Sequence, residues 1–328
     1  MISAVRQPAF APSAAQQTAD WGEHQLWPWQ GHSCHWRQLG ESHHPALVLV
    51  HGFGAASGHW RRNAPVLAQA GWCVYGVDLI GFGASSQPGH HRHRHLDNRF
   101  WARQLHGFLE QVVGRPAVLL GHSLGGLVSL SCSVFFPQWV RAVVAAPLPD
   151  PSLLLASLEA ADRSPRRSPW RRRMRHDLVL WLCRLLPLEL LVPLLARTPL
   201  LNLGIQSAYL QPVIGDRELH RLISRPARRR GAVRSLRAMS IGMALRPHQA
   251  TAAPLLLRVC CPLLLVWGRQ DRLVPIAVAQ RCQKLRAGLP LVVVDQAGHC
   301  PHDETPETFN RAVLNWLAHL ERQSDLVG

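Results

Sequence analysis

The chain has 328 residues, with 36 lysines and arginines against 20 aspartates and glutamates, so its formal net charge is +16. Hydrophobic residues make up 47% and charged residues 17% of the chain, which is a globular composition and excludes disorder over most of its length. The length fits one large α/β domain that carries an insertion, or two ordinary domains.

The positive charge consists almost entirely of arginine, since Lys284 is the single lysine. A genome rich in G and C produces this bias without selection for an acidic partner, and no zinc-finger spacing or aromatic RNA-binding motif is present. We therefore expect no nucleic-acid partner. Residues 151–250 nevertheless hold 18 arginines against 6 acidic residues, which is +12 of the total charge, so the excess is a local feature.

Eight cysteines are scattered along the chain without a CxxC pair or a Cys/His spacing typical of a metal site, and we expect no metal or cofactor. Several lie in apolar runs, as buried free thiols do, which indicates a reducing compartment such as the cytoplasm. Residues 1–20 have no apolar core of secretory length and are expected to be flexible. The longest apolar stretch, Leu178 to Ala196, is interrupted by charges and prolines and is not expected to span a bilayer.

Short apolar runs alternate with helical patterns, which is typical of a mostly parallel sheet flanked by helices. The Trp-rich stretch from Trp21 to Gly40 predicts one or two edge strands. The later runs are continuously apolar, as expected of strands covered on both faces. The predicted buried strands are Ala46–Val50, Trp72–Val77, Ala117–Leu120, Arg141–Ala145, Pro262–Trp267 and Leu291–Val294. Helices are predicted near residues 59–70, 97–113, 124–136, 273–287 and 305–321.

The alternation of strands and helices stops near Pro147 and resumes near Cys261. The sequence between them is rich in Leu, Arg and Pro and has no convincing strand. We therefore predict an α/β core over residues 21–146 and 261–321, and an inserted, mainly helical cap over residues 147–260.

The motif Gly-His-Ser-Leu-Gly-Gly at residues 121–126 follows a predicted strand and opens a predicted helix. This is the context of the G-x-S-x-G nucleophile elbow, in which a sharp turn exposes the serine above the sheet. The glycines at 121 and 125 leave room for that strained turn. The motif predicts Ser123 as a nucleophile, against the alternative of a glycine-rich turn with an inert serine.

A serine hydroxyl needs a base to take its proton, and the base needs an acid to orient it. In this architecture the chain order is Ser, then Asp or Glu, then His, and each follows a strand. Asp271 and His299 meet both conditions. The competing candidates are His302, three residues further on, and Asp295, which is too close to His299 along the chain to be the usual partner.

The oxyanion formed when the nucleophile attacks needs two N–H donors held in place. The first is expected from Leu124, directly after the nucleophile. The second is expected from Phe53, in the His-Gly-Phe-Gly loop that follows the strand Ala46–Val50.

The motifs together identify a family resemblance. The chain resembles the α/β-hydrolase superfamily on both sides of the predicted cap. It resembles more closely a branch from plants and cyanobacteria that includes pheophytinase and chlorophyll dephytylases. The residues that carry the closer resemblance are Trp27–His32 (WPWQGH), Asp78–Ser85 (DLIGFGAS) and Ala297–Glu304 (AGHCPHDE). The resemblance implies hydrolysis of an apolar carboxylic ester, with the phytyl ester of a chlorophyll-type pigment as the specific expectation; the cap shows no match.

The predicted cap opens with a basic run, Arg163–Arg175, followed by a very apolar segment. This combination suits an anionic membrane surface, such as a thylakoid membrane, or a pocket for an apolar substrate. The alternative is a solvated charge run beside a helix that packs on the core. Trp181, Leu182 and Leu185 are the candidates for substrate contact.

Other reactions of the same fold remain to be weighed. An aspartate at the elbow would indicate an epoxide hydrolase or a dehalogenase, but the residue is Ser123, and epoxide opening in this superfamily also uses two cap tyrosines. The chain has only Tyr75, in a predicted strand, and Tyr209. Hydrolysis of a lipid acyl ester or of a carbon–carbon bond by the same triad stays open. So does a ligand-binding or membrane-docking module that has kept an inherited triad.

Overall fold

The computed structural model describes residues 18–90, 95–150 and 200–325, together with 152–153, 170, 174, 178, 181–182 and 198. Leu185 and residues 1–17 lie outside the described residues. The Ala19 amide donates to Glu218 Oε1 at 2.7 Å, and the expectation that residues 1–20 are flexible stays a prediction.

One eight-stranded sheet forms the centre of the molecule, in the order β1-β2-β4-β3-β5-β6-β7-β8. Only β2 runs against the others, since it pairs antiparallel with β1 and β4 while all remaining neighbours are parallel. The strands are β1 Glu23–Trp29, β2 His32–Leu39, β3 Ala46–Val50, β4 Cys73–Val77, β5 Ala117–His122, β6 Val140–Ala146, β7 Leu263–Gly268 and β8 Leu291–Val294. The predicted mostly parallel sheet is confirmed, and the Trp-rich stretch supplies the edge strand β1 and its neighbour β2.

Helices cover both faces of this sheet. Within the described residues they are α1 Ala64–Gln69, α2 Asn98–Phe108, α3 Leu124–Phe135, α4 Leu200–Gln206, α5 Arg217–Ala227, α6 Ala232–Leu245, α7 Ala252–Arg258, α8 Ala277–Leu285, α9 Pro301–Glu304 and α10 Pro306–Asp325. A π-helical turn, Leu109–Val113, extends α2, and short 3₁₀ helices lie at Ser57–Trp60, Pro137–Trp139 and His248–Ala250. None of the helices in this described part is both long and apolar enough to cross a membrane.

Alternate strand residues enter two separate cores, which explains the continuous apolar runs. In β3, Leu47 and Leu49 belong to the core beneath α1 and α10, whereas Val48 and Val50 belong to the core beneath α2 and α3. A parallel strand that is covered on both faces has no polar side, so its sequence does not alternate.

The described residues between 200 and 258 include the helices α4 to α7, and the expected bounds of the insertion, residues 147–260, stay a prediction. Helix α7 packs on α3, and Ala252, Leu255 and Leu256 are fully buried in the same core as the sheet. By packing, this helix belongs to the α/β core.

Candidate active site

The turn between β5 and α3 holds Ser123 in a backbone conformation that side chains rarely adopt, with φ 52° and ψ −115°. Neighbouring glycines make the turn possible. A Cβ on Gly121 would lie 2.3 Å from the Gly125 carbonyl oxygen, and a Cβ on Gly125 would lie 2.1 Å from that of Val50. Close backbone packing stabilises this strained conformation of Ser123, as is common at a turn that exposes a nucleophile to substrate.

The structure brings the three predicted site residues into one hydrogen-bonded line. His299 Nε2 lies 2.9 Å from Ser123 Oγ, and His299 Nδ1 lies 2.9 Å from Asp271 Oδ2. All three residues are buried. Because the carboxylate can only accept, Nδ1 carries the ring proton, which leaves Nε2 free to accept the proton of the serine hydroxyl.

Asp271 is fixed by its own loop after β7. Its second oxygen, Oδ1, accepts the amides of Leu273 and Val274 at 2.9 and 2.8 Å. The competing carboxylate, Asp295, lies exposed at the end of β8 and pairs with Arg269 instead. The geometry therefore places Asp271, and not Asp295, beside the imidazole.

The loop after β3 lies directly beside the nucleophile turn. Gly125 approaches the carbonyl oxygens of Val50 and His51 so closely that no side chain fits between them. The His51 ring braces the loop: its Nδ1–H donates to the Gly52 carbonyl at 2.7 Å, and its Nε2 accepts the Leu79 amide at 3.0 Å. The loop residue Gly52 lies against His122, the residue before the nucleophile, and Leu124 is the first residue of α3. The Phe53 side chain is 61% exposed.

A cluster of buried histidines lies behind the nucleophile, and sequence reasoning missed it. Tyr209 donates its hydroxyl proton to Asp303 at 2.9 Å and accepts from His59 Nε2 at 2.7 Å, so His59 Nδ1 must accept from His302 Nε2, 3.3 Å away. His302, the competing candidate for the base, therefore bonds within this cluster. His122 donates from Nε2 to the His299 carbonyl at 3.0 Å and so holds the main chain of the base.

Burial disfavours the charged form of each ring in the cluster. It lowers the pKa of His59 to about 4 and brings the pKa values of His122 and His302 well below the usual 6.5. The three residues lie far apart in sequence, and only the position of His122 next to the nucleophile is a signal that could have indicated such a role.

Among the described residues, His59, His122 and His302 each place one ring nitrogen within 4.8 Å of the other two. Three nitrogens at this spacing could bind one metal ion. The fit is poor. Both His59 nitrogens are engaged, and the ring centroids are only 4.4–5.6 Å apart, so the rings occupy the space that an ion would need. We therefore interpret the cluster as hydrogen-bonded packing.

The predicted substrate contacts of the cap are not brought to a covered pocket. Trp181 is 58% and Leu182 is 49% exposed, and Leu185 lies outside the described residues. The sequence could indicate an apolar segment here, but a continuous apolar run does not tell which side chains face the core and which face solvent.

Two curated relatives differ in how much of the chain they match. Bifunctional epoxide hydrolase 2 of Sus scrofa is 32% identical over 149 residues, which are 45% of this chain and 26% of that protein. The chain thus matches about a quarter or less of the length of the first such relatives. The 2-hydroxy-6-oxononadienedioate/2-hydroxy-6-oxononatrienedioate hydrolase of Escherichia coli K12 is 26% identical over 276 residues, which are 83% of this chain and 86% of that protein.

Solved structures share the whole architecture. A putative lipase from Acinetobacter baumannii superimposes with a TM-score of 0.70 at 18% identity, covering 92% of both chains. The family model described as the alpha/beta hydrolase fold matches residues 45–306. With this match, the eight-stranded sheet and the serine turn between β5 and α3, the chain belongs to the α/β-hydrolase family.

Proposed function

We propose that the protein hydrolyses carboxylic esters through an acyl-enzyme formed on Ser123. The observation that carries the proposal is the line from Ser123 Oγ through the His299 ring to Asp271, with both contacts at 2.9 Å. A buried serine, imidazole and carboxylate at these distances have the geometry of nucleophile, general base and orienting acid. Membership of the family supports hydrolysis as the reaction class.

The reaction follows from the proton positions. Ser123 Oγ attacks the ester carbonyl while its proton passes to His299 Nε2, and Asp271 stabilises the resulting imidazolium through Nδ1–H. The amides of Phe53 and Leu124 are the proposed donors to the oxyanion. The C–O bond to the alcohol then breaks, and the alcohol leaves with the proton from Nε2. Water, deprotonated by the same nitrogen, attacks the acyl carbonyl and releases the acid and the free serine.

Epoxide opening, the activity in the names of several relatives, fits this site poorly. Ser123 stands where that reaction uses an aspartate. Tyr209 cannot serve as an acid to an epoxide oxygen while its hydroxyl is bonded to His59 and Asp303, and Tyr75 lies buried within β4. The second candidate is carbon–carbon bond hydrolysis by the same triad, because the Escherichia coli relative with that type of name matches most of both chains.

For the substrate we propose an apolar ester, and within that class the phytyl ester of a chlorophyll-type pigment. The support is the resemblance carried by Trp27–His32, Asp78–Ser85 and Ala297–Glu304, together with the apolar insertion. A lipid acyl ester is the alternative that the same insertion would accept.

The test incubates purified protein and a Ser123→Ala variant with pheophytin, chlorophyll, a phospholipid and a p-nitrophenyl ester. Release of phytol by the wild type alone supports the pigment ester. Release of fatty acid alone favours the lipid ester, and cleavage of only the short ester rejects the pigment. If both proteins are inert on all these substrates and on a vinylogous 1,5-diketone, whose second carbonyl takes up the electron pair of the broken carbon–carbon bond, the result favours a binding module over both hydrolases.

We also propose peripheral contact with an anionic membrane through the basic part of the insertion. Five large apolar side chains there are helical and between 49% and 60% exposed: Trp170, Met174, Leu178, Trp181 and Leu182. A spacing of 4, 4, 3 and 1 residues is the sequence pattern of one side of a helix, and the sequence places arginines at 171, 172, 173 and 175 among them. Apolar residues beside arginines are the pattern of helices that lie in a membrane surface.

Flotation with vesicles tests this contact without reference to catalysis. Wild type and Ser123→Ala should float with phosphatidylglycerol vesicles and not with phosphatidylcholine vesicles, whereas Trp181→Ser should float several-fold less. Leu257→Ser, at an equally exposed apolar residue of α7, is the matched control and should behave as wild type. If Trp181→Ser and Leu257→Ser are recovered with the vesicles in equal amounts, the proposed membrane contact is rejected.

A further inference from the structure

The loop that carries His299 is fastened to a short segment of the inserted region, Ala208–Gln211. The His299 amide donates to the Ala208 carbonyl at 2.9 Å. The main chain of the base is therefore held on both sides, since its carbonyl accepts from His122. The Ala208 contact comes from outside the α/β core.

One carboxylate joins the two segments more firmly. Glu304 Oε1 accepts the amides of Gly298 and Cys300, which flank the base, at 2.7 and 3.3 Å. Its other oxygen, Oε2, accepts the amides of Leu210 and Gln211 at 2.6 and 3.4 Å. Each oxygen thus serves one segment, and all four donors are main-chain groups.

Gly298 allows the two segments to approach so closely. A Cβ at this residue would lie 3.0 Å from the Leu210 nitrogen and 3.1 Å from both the Ala208 oxygen and Glu304 Oε1. The glycine directly precedes the base in the sequence. In the structure it is needed because the inserted segment packs against it.

A second layer of contacts supports the same junction. Tyr209 bonds Asp303 through its hydroxyl, and Arg61 donates from Nε to Asp303 at 3.2 Å and from Nη1 to Glu218 at 3.0 Å. The Arg61 side chain is buried and also pairs with Asp216, which caps the start of α5. The insertion is thus anchored to the core beside the base.

We propose that Glu304 is a positioning residue for the catalytic base: it ties the His299 loop to Ala208–Gln211, so that alignment of the imidazole depends on the inserted region. The proposal rests on the proposed function, because it assigns a role in the acylation of Ser123. A substrate that shifts this segment would then change turnover as well as binding. The insertion that adjoins the site would thereby act on the chemical step.

Replacement of Glu304 by glutamine removes part of its hydrogen bonding without changing its size. Glutamine keeps the length and shape of Glu304 but replaces one oxygen by an NH₂ group, which can only donate. In either orientation of the amide, the NH₂ group faces N–H donors of one segment. Glu304→Gln therefore breaks the attachment on one side and leaves no large cavity.

The test measures turnover of a p-nitrophenyl ester per active site, with active sites counted by a serine-directed phosphonate. We expect Glu304→Gln to bind one phosphonate per chain, as wild type does, but with kcat lower by about 10- to 100-fold, since a misplacement of about 1 Å can cost that much. KM should stay within about threefold. Glu321→Gln, which removes a charge from the surface pair with Arg141, is the matched control and should keep wild-type kcat.

A purely structural role would lower the phosphonate stoichiometry and leave kcat per titrated site unchanged, and that result would overturn the proposal. If Glu304→Gln does not fold, Gly298→Ala decides, because its methyl group pushes the segments apart by only a few tenths of an ångström. Wild-type kcat per site in that variant would also overturn it. Failure of the wild type to react with the phosphonate would instead reject the proposed function.

Discussion

Replacement of Asp271 by asparagine tests the orientation of the base with little change to the fold. Asparagine keeps an oxygen for the amides of Leu273 and Val274, so the loop after β7 should stay in place. The atom facing His299 Nδ1 becomes an NH₂ group, which cannot accept the ring proton. The imidazole then favours the tautomer with its proton on Nε2, which points at Ser123 and cannot take the hydroxyl proton.

The same substitution in a serine protease triad lowers kcat by about 10⁴, which corresponds to about 5 kcal/mol of transition-state stabilisation. We expect a loss of about 10³- to 10⁴-fold in kcat for Asp271→Asn on a p-nitrophenyl ester at pH 7. Asp295→Asn is the control, because Asp295 was the competing acid in the sequence and is exposed. It should stay within about twofold of wild type. A loss of less than tenfold for Asp271→Asn, or an equal loss for Asp295→Asn, would refute the reasoning.

Three further predictions concern stability. The buried histidines are neutral in the folded protein but protonate when unfolded, so the free energy of unfolding in urea should be highest above about pH 6.5 and fall towards pH 4, by up to ~1.4 kcal/mol per pH unit for each ring; a flat profile would contradict this. The rings concerned are His59, His122 and His302. Arg61→Met removes the buried guanidinium that pairs with the buried carboxylate of Asp303 and should cost about 3–5 kcal/mol, against at most about 1 kcal/mol for Arg141→Met at the surface; equal urea midpoints would contradict the difference. Gly125→Ala should not yield folded protein by circular dichroism, whereas Gly204→Ala, with open space in α4, should melt at or above the wild-type temperature.

The strands and the three triad candidates could be predicted because their signals are local. Ala46–Val50 and Leu291–Val294 match the observed strands to the residue, since a strand covered on both faces is marked by its own apolar run. The serine turn is marked by the glycines on either side of it. The candidates Asp271 and His299 follow from strand ends and chain order, which are also visible in the sequence.

Helix starts were predicted less well, because side chains and prolines that compete with the helix decide them. The helix expected over 273–287 begins only at Ala277: Asp271 takes the amides of the first residues, and Trp267 Nε1 donates to the Val274 carbonyl at 2.8 Å. The helix expected over 59–70 begins at Ala64, because Pro65 is tolerated only in a first turn.

Contacts between distant parts of the chain had no signal in the sequence. Glu304 meets Leu210 across 94 residues, and His122 meets His299 across 177. Helix α7 has the composition of the insertion before it, and only its packing on α3 assigns it to the core. The resemblance to the branch that includes pheophytinase covers Glu304, in the motif Ala297–Glu304, but it does not indicate what Glu304 does.

The central claim is an acyl-enzyme on Ser123, and mass spectrometry of the protein quenched during turnover of a p-nitrophenyl ester tests it most directly. The account predicts a mass increase of one acyl group per chain, located on the peptide that contains Ser123. It predicts no acyl increase in Ser123→Ala, and only the phosphonyl increase in wild type first blocked with a phosphonate. An acyl group on another residue, or turnover by Ser123→Ala at the wild-type rate, would contradict it.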